Sequence, residues 1–236
     1  MNLAVIPARG GSVRIPRKNV RTFAGRPMLV WPLRTVVESG YFDRVLVSTD
    51  DEEIASIAVS YGAEVPFLRP RWLADDHTGT REVLRHAVAW WHQNVGPTLH
   101  AACVYPTAAF LGADTLQGAF AVLDSNADVD CAVTVSAYSH PIERALRIDA
   151  RGGLLQAQPN QRHTRTQDLP PAYFDVGQLY LWRSRMLLEE GREPRRAGVV
   201  VPRWRAIDID DEDDWRLAEA VFTSGLSGSR MGPEEP

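Results

Sequence analysis

The sequence has few cysteines, no long apolar run and no excess of basic charge. Cys103 and Cys131 are the only two cysteines among 236 residues, which favours buried thiols in a reducing compartment over a disulfide framework or a metal site. No run of 18 apolar residues predicts a membrane span, and Arg9 interrupts the N-terminal apolar stretch too early for a signal peptide. The net charge of −4 gives no general attraction to nucleic acid. We therefore expect a cytoplasmic protein whose partners include neither nucleic acid nor membrane.

Two common phosphate-binding motifs are also absent. Nothing reads G-x-x-x-x-G-K-[ST] or G-x-G-x-x-G, so a P-loop ATPase and a dinucleotide dehydrogenase are both disfavoured. Instead, a predicted buried strand at 3–6 runs into Gly10 and Gly11, and no acidic residue occurs between Met1 and Glu38. The loop carries four cations, at Arg9, Arg14, Arg17 and Lys18. A Gly-Gly turn beside surface arginines is the plainer interpretation; the uninterrupted positive charge favours a polyphosphate site.

The order of apolar segments predicts an α/β fold with a mostly parallel sheet. Strands are expected at 3–6, 44–48, 63–67, 101–105, 131–135, 177–182 and 199–201. Helices are expected at 27–40, 51–61, 80–91, 114–123 and 215–222, the last with Leu217, Ala218 and Val221 facing inward. With 44% hydrophobic and 24% charged residues, the chain suits one domain over 1–223. The tail at 224–236 is rich in Gly, Ser, Pro and Glu, which predicts disorder.

The alternation of strands and helices is broken at 138–171. Apolar pieces at 145–148 and 154–155 flank Gly152 and Gly153, a pattern typical of a hairpin. The polar run at 158–168 has no helical or strand period. Such an excursion is usually a lid, a partner-binding arm or a disordered segment.

Two acidic residues near the end of the domain suggest a metal site. Asp208 and Asp210 alternate with Ile207 and Ile209, which would place both carboxylates on one face of an extended strand. Paired carboxylates suit Mg²⁺, a cation that prefers oxygen ligands. An acidic helix cap is the alternative, and it is the better interpretation for residues 211–214.

Four segments resemble one enzyme family. The sequence IPARGGSVRIPRKN at 6–19 resembles the nucleotide-binding opening of the CMP-nonulosonate cytidylyltransferases, which activate sialic, pseudaminic and legionaminic acids with CTP. The Asp-Ile-Asp sequence at 208–210 matches a motif of that family. VYPTAAFL at 104–111 and TRTQDLPPAYFDVGQLY at 164–180 are similar to its sugar-facing segments, with the pseudaminate branch the nearer.

The resemblance implies a three-layer Rossmann-like nucleotidyltransferase domain with an inserted β-hairpin at 138–171 that acts as a dimerisation arm. It implies transfer of CMP from CTP to a nine-carbon keto-sugar acid, pseudaminic acid first, with Mg²⁺ as cofactor and pyrophosphate as the second product. The partners that the resemblance implies are CTP, the sugar acid and a second copy of the chain. Sialic, legionaminic and eight-carbon acids remain alternative substrates.

Site residues follow from these matches and from the chemistry that each ligand needs. The catalytic candidates are Arg9, Lys18, Asp208 and Asp210, of which the two aspartates are also the metal candidates. The nucleotide-binding candidates are Ala8, Arg9, Gly10, Gly11, Ser12, Arg14, Lys18, Asn19, Thr78, Thr80 and Pro106. A carboxylate with several hydroxyl or acetamido groups calls for arginine, amide, hydroxyl and aromatic side chains. Those candidates are Tyr105, Thr107, Arg144, Arg165, Gln167, Tyr173, Asp175, Gln178 and Tyr180.

One position departs from the family pattern. Val13 stands where the family commonly has lysine after Gly-Gly-Ser. A homologue that binds nucleotide or sugar without catalysis is therefore the competing interpretation. Arg14, the next residue, offers a replacement for the missing charge, and on that ground we expect activity.

Overall fold

The computed structural model describes residues 1–75, 78–158, 160, 164–189 and 191–226. Its strands are β1 (Asn2–Pro7), β2 (Thr22–Phe23), β3 (Arg26–Pro27), β4 (Arg44–Ser48), β5 (His100–Val104), β6 (Cys131–Ala137), β7 (Leu146–Ile148), β8 (Leu154–Gln156), β9 (Tyr173–Arg183) and β10 (Arg196–Val200). Its α-helices are α1 (Val30–Glu38), α2 (Glu52–Ser60), α3 (Thr80–Asn94), α4 (Ala113–Ser125), α5 (Ser184–Leu188) and α6 (Glu212–Thr223). A strand precedes each of α1, α2 and α4, as the sequence predicts, whereas α3 follows α2 with no strand between them.

A six-stranded mixed sheet forms the centre, in the order β10-β6-β9-β5-β1-β4. Strand β1 pairs in parallel with β4 on one side and with β5 on the other, and β10 pairs in parallel with β6. Strand β9 runs antiparallel between β5 and β6. The predicted α/β class and mostly parallel sheet are confirmed; the reversed strand in the middle was not predicted.

Helices pack on both faces of this sheet because successive residues of β1 point in opposite directions. Ala4 and Ile6 join one buried cluster with residues of α1, α2 and α4. Leu3 and Val5 join a second cluster with residues of α3 and α5, including the buried Trp91. A third cluster packs α6 against Ile15, Phe23 and Met28. The last helix therefore closes over the loop that follows β1.

Two predictions about these elements are wrong. The segment 63–67 does not form a strand, because it contributes only isolated bridges, Leu46 with Glu64 and Thr49 with Leu68. Leu217 does not face the core, since it is 55% exposed, whereas Trp215 and Ala218 of the same helix are buried. Trp215 takes the inward position next to the Phe23 ring, and this rotates Leu217 to the solvent side.

The predicted hairpin is confirmed as a separate two-stranded sheet. Strands β7 and β8 pair antiparallel, with Ile148 opposite Leu154. Residues 159 and 161–163 of the expected arm, and 227–236 of the expected disordered tail, lie outside the described residues. None of the helices in the described part of the chain has the length and apolarity needed to cross a bilayer.

Candidate functional site

Three adjoining cavities lie beside the carboxyl ends of β1 and β5, where the chain leaves the sheet in opposite directions. In open α/β sheets this is the usual place for a ligand. The first, here called the loop cavity, has a volume of about 490 Å³ and is lined by loop residues and by the start of α3: Pro7, Arg9, Ser12, Val13, Arg14, Lys18, Asn19, Arg69, Leu73, Asp75, Thr78, Thr80, Val83, Tyr105, Pro106 and Thr107. Nearly all the polar residues predicted for the nucleotide therefore meet in one place.

The second cavity shares a wall with the first. This aspartate cavity, of about 410 Å³, is lined by Arg14, Lys18, Tyr105, Thr107, Asp175, Gly177, Tyr180, Asp208 and Asp210. The third, here called the Trp182 cavity, has about 450 Å³ and lies beyond Tyr180, with Arg81, Leu84, Cys103, Trp182, Glu193 and Arg196 in its walls. Tyr105 lines all three cavities. Its ring is thus the partition between the space beside the glycine loop and the space beside the aspartates.

The loop that contains Gly10 and Gly11 is held in place by residues that directly follow β4. The Gly10 N–H donates to Asp50 Oδ1 at 3.0 Å. A Cβ at Gly10 would lie 2.6 Å from Asp51 Oδ2, so a side chain at this position would collide with the carboxylate. The Asn19 amide donates to the Arg9 carbonyl at 2.9 Å and closes the loop. Because its amide is engaged with Asp50, Gly10 serves here to let the loop approach α2, and the cavity wall is formed by Arg9, Ser12 and Arg14.

Cations from the start of the chain meet carboxylates from its end. Arg14 Nη1 lies 2.7 Å from Asp210 Oδ2, and Lys18 Nζ lies 3.9 Å from Asp210 Oδ1. Lys18 Nζ also donates to the Ile209 carbonyl at 2.6 Å. This is the convergence that the sequence predicts for Lys18 and the Asp-Ile-Asp motif.

The backbone that carries the two aspartates is not the predicted strand. Residues 206–210 follow a short 3₁₀ turn at Arg203–Arg205 and have no strand assignment. The isoleucine of the motif still turns inward: Ile209 is fully buried in the third cluster. Asp211 then caps α6 by accepting from the Asp213 and Asp214 amides. Burial of Ile209 between two exposed neighbours, rather than a ladder of hydrogen bonds, directs Asp208 and Asp210 into the cavity.

Burial shifts the pKa values of two charged side chains in the wall of the aspartate cavity, Lys18 and Asp208. It lowers the pKa of the Lys18 ammonium, although Asp210 and Asp208 oppose the effect. It also raises the pKa of the Asp208 carboxyl, and the charge of Asp210 adds to that rise. Two like charges held together at a cavity wall favour a cation between them. No group of three His, Cys, Asp or Glu side chains that could hold a metal occurs among the described residues. The two carboxylates present are of the kind that Mg²⁺ binds together with water and phosphate oxygens.

Arg69 is a site residue that the sequence did not reveal. Its side chain is buried, lines the loop cavity and donates to Ser48 Oγ at 3.1 Å and to the Ser48 carbonyl. Burial lowers the pKa of Arg69 to about 10. Its sequence context, LRPRW, gives no sign of burial. The one feature that could have pointed to Arg69 is its position directly after Leu68, the residue that bridges to Thr49.

The predicted threonines and Tyr105 form the far wall of the loop cavity. Thr78 donates from its amide to Asp75 Oδ1 at 2.7 Å. Thr80 begins α3, and its hydroxyl lies 2.8 Å from the Tyr105 hydroxyl. Pro106 and Thr107 follow in the same wall. These residues lie together in one wall, and their roles in nucleotide and sugar binding stay predictions.

The residues predicted for the sugar acid divide into two groups. Tyr105, Thr107, Asp175 and Tyr180 line the aspartate cavity. The other five do not line it: Arg144 donates to the Thr164 carbonyl, Arg165 pairs with Asp168, Gln178 donates to the Arg205 carbonyl, and Gln167 and Tyr173 are exposed. Gln178 is buried and its side chain is engaged with Arg205, and its role in sugar binding stays a prediction. Arg144, Arg165 and Gln167 belong to the 138–171 segment, whose role stays a prediction.

The fold and the charges define an α/β protein in which a basic loop meets two carboxylates beside adjoining cavities. Comparison with known proteins narrows this class. The family model for cytidylyltransferases matches residues 3–209, and the chain belongs to that family. It is a nucleotidyltransferase of the acylneuraminate/pseudaminate cytidylyltransferase type.

Individual relatives support this assignment. The chain is 34% identical over 223 residues to a pseudaminic acid cytidylyltransferase of Campylobacter jejuni, covering 94% of this chain and 96% of the relative. It is 30% identical to a CMP-N,N'-diacetyllegionaminic acid synthase of Legionella pneumophila, with 93% and 95% covered. A solved structure of CMP:2-keto-3-deoxy-manno-octonic acid synthetase complexed with CTP has a TM-score of 0.67 at 17% identity, covering 95% of this chain and 99% of that one. The last comparison shows that the fold is shared.

Proposed function

We propose that the protein transfers CMP from CTP to pseudaminic acid and releases pyrophosphate. The single observation that carries this proposal is the contact of Arg14 and Lys18, which line both the loop cavity and the aspartate cavity, with Asp210, which lines the aspartate cavity together with Asp208. Nucleotide in the first cavity and acceptor in the second would bring the α-phosphate and the sugar hydroxyl together where the two cavities adjoin. The relative at 34% identity supports pseudaminic acid as the acceptor.

The residues of the loop cavity suit a triphosphate. In this reaction the anomeric oxygen of the sugar acid forms a bond to the α-phosphorus while the bond to pyrophosphate breaks, and negative charge grows on the leaving group. Arg9, Arg14 and Lys18 line the cavity with fixed positive charge, and Ser12 adds a hydroxyl donor. Arg69 adds a buried cation that lines the same cavity. These groups would hold the triphosphate in line with the acceptor.

Asp208 and Asp210 would hold Mg²⁺. When bound, this cation would neutralise phosphate charge and lower the pKa of a coordinated sugar hydroxyl. Arg14 now pairs with Asp210, so its guanidinium lies within reach of both the carboxylate and the phosphate region. Binding of nucleotide would give Arg14 a second anionic partner in the loop cavity.

We further propose a homodimer formed through the 138–171 arm. Four apolar side chains of the β7–β8 hairpin are between 55% and 74% exposed: Leu146, Ile148, Leu154 and Leu155. A small hairpin with exposed apolar residues on both strands is stabilised by packing against another surface. A second copy in that position would also bring Arg144, Arg165, Gln167 and Tyr173 of one chain toward the sugar site of the other.

Pyrophosphate release over a panel of substrates tests the proposed function. The purified chain is mixed with Mg²⁺, each of the four nucleoside triphosphates, and pseudaminic, legionaminic, sialic or 3-deoxy-manno-octulosonic acid. We expect release with CTP, and kcat/KM at its highest with pseudaminic acid. A higher kcat/KM with another acid would transfer the assignment to that acid, and silence with every pair would favour the non-catalytic homologue.

A further inference from the structure

Asp175 and Tyr180 meet in a way that a regular strand does not allow. In an even β-strand, residues five apart lie on opposite faces and roughly 16 Å from each other. Here the Tyr180 hydroxyl donates to Asp175, at 2.9 Å from each carboxylate oxygen. Strand β9 is irregular between them, because its pairing with β6 shifts register between Val133 and Val135. The irregularity therefore creates this contact.

Gly177 makes the irregularity possible. Its φ of +65° lies in the left-handed region that side chains disfavour, and its N–H donates back to Asp175 Oδ1 at 2.9 Å. Bulges of this kind are frequent beside active sites, where they redirect a side chain. The backbone irregularity at Gly177 thus turns the Asp175 carboxylate toward the Tyr180 hydroxyl.

The direction of the hydrogen bond is fixed by the chemistry of the two groups. An ionised carboxylate only accepts. Burial raises the pKa of the Tyr180 phenol, and the neighbouring Tyr105 and Asp175 add to that rise. Tyr180 therefore stays protonated, and its hydroxyl donates its hydrogen bond to Asp175. The phenol oxygen is left to act toward a further ligand as an acceptor.

The pair lines the same cavity as the metal candidates. Asp175, Tyr180 and Tyr105 contribute to the wall of the aspartate cavity, as do Asp208 and Asp210. Tyr105 packs edge-on against Tyr180, with ring centroids 5.7 Å apart, and its hydroxyl is engaged with Thr80. An acceptor molecule bound beside Asp208 and Asp210 would therefore share this cavity with the Tyr180 hydroxyl.

We infer that Asp175 is a positioning residue for sugar-acid selection. By accepting the hydrogen bond of the Tyr180 hydroxyl, it orients the Tyr180 oxygen to accept a hydrogen bond from a hydroxyl or amide N–H of the acceptor substrate. Tyr180 touches the substrate, and Asp175 acts through Tyr180. This inference rests on the proposed function and adds to it a named determinant of substrate choice.

A double-mutant cycle tests the inference. Native protein, Asp175→Ala, Tyr180→Phe and the double variant are assayed for KM of the sugar acid, KM of CTP and kcat. Asp175→Asn retains an oxygen that accepts from Tyr180 and serves as the rescue variant. Asp128→Ala, which removes an exposed carboxylate before β6, is the matched control. Circular dichroism of each variant shows that it folds.

The expected pattern separates positioning from direct binding. Loss of one neutral hydrogen bond is worth about five- to tenfold, so each single variant raises the KM of the sugar acid by about that factor and leaves the KM of CTP unchanged. In the Tyr180→Phe background, Asp175→Ala has little further effect. With Tyr180 in place, Asp175→Asn keeps a KM for the sugar acid close to the native value. Proton NMR adds a readout independent of turnover: a slowly exchanging Tyr180 hydroxyl proton that disappears in both single variants.

Two results overturn the inference. If the effects of Asp175→Ala and Tyr180→Phe multiply, Asp175 acts on the substrate without Tyr180. If Asp175→Ala raises the KM of CTP as much as that of the sugar acid, its role is general to the fold. Either result arises only when the native chain is active, whereas a native chain that turns over no acid refutes the proposed function itself and this inference with it.

Discussion

The residue that departs most from its family is Val13. It is 76% exposed and lines the loop cavity between Ser12 and Arg14. Its side chain cannot supply the charge of the lysine that is common at this position. Arg14 lines the same cavity and extends to Asp210. The arginine next in sequence therefore stands close enough to serve the same phosphate.

Substitution Val13→Lys should change turnover only modestly. An added exposed cation contributes at most about 1 kcal/mol, which corresponds to less than about tenfold in kcat/KM. Steady-state pyrophosphate release measures the effect, and Val13→Gln, with similar length and no charge, is the control. A silent native chain that Val13→Lys alone switches on would contradict this expectation and support the non-catalytic interpretation.

Sequence patterns predicted the charged residues of the site that belong to compact motifs better than the isolated buried one. Lys18 and Asp210 belong to compact motifs, and the structure brings them together. Arg69 stands alone in the sequence, and only tertiary packing places it under Ser48 and against the loop cavity. A single buried cation leaves no periodic pattern, so no reading of neighbouring residues reveals it.

Among the elements, the order of strands and helices was predictable and the direction of β9 was not. Hydrophobic runs identify a strand but do not give its orientation. The Asp-Ile-Asp segment shows the same limit, because alternation predicted a strand where the chain forms a loop held by burial of Ile209. Alternating burial arises from packing alone when no neighbouring strand is available to pair.

The start of α2 carries a second prediction. Asp51 caps this helix by accepting from the Ile54 amide at 3.0 Å, and it also pairs with Arg17. Loss of a helix cap costs about 1–2 kcal/mol, so Asp51→Ala should lower the free energy of unfolding by that amount at pH 7. Urea denaturation measures it, and Asp51→Asn, which keeps an oxygen for Ile54, should lose less.

The pH dependence of this effect follows from the charge. Arg17 foremost, and then the Ile54 amide, hold the pKa of Asp51 below its ordinary value. Stabilisation by the ionised form is thus present above about pH 4, the ordinary Asp range, and is lost as pH falls through the lowered pKa. The gap between native and Asp51→Asn should shrink in that acid range. A gap that stays constant down to pH 2 would refute the role of charge.

The β7–β8 hairpin carries a third prediction. Ile148 and Leu154 lie opposite each other and are both exposed. A carboxylate in an apolar interface is costly, so Ile148→Glu should convert a dimer into a monomer and reduce turnover with it. Size-exclusion chromatography with light scattering gives the mass. Val59→Glu, at an exposed apolar position on α2, is the control, and a native monomer or an undisturbed Ile148→Glu dimer would count against the arm.

For the molecule as a whole, the decisive feature is that the two ends of the domain meet. The third core cluster packs Ile15, Phe23 and Met28 against Ile209 and Trp215, and Arg21 pairs with Glu212 beside the Trp215 ring. These contacts fix the basic loop against the acidic segment. The contact of Arg14 and Lys18 with Asp210 beside the two cavities is therefore a property of the fold and not of either motif alone.

Pyrophosphate release by aspartate variants tests this account most directly. With CTP, pseudaminic acid and Mg²⁺, Asp208→Asn and Asp210→Asn should each lose about a hundredfold or more in kcat/KM, as expected for removal of a metal ligand. Asp213→Asn, at a nearly fully exposed carboxylate in the same acidic run, should keep native activity. Native turnover in either of the first two variants, or an equal loss in the third, would contradict the proposed site.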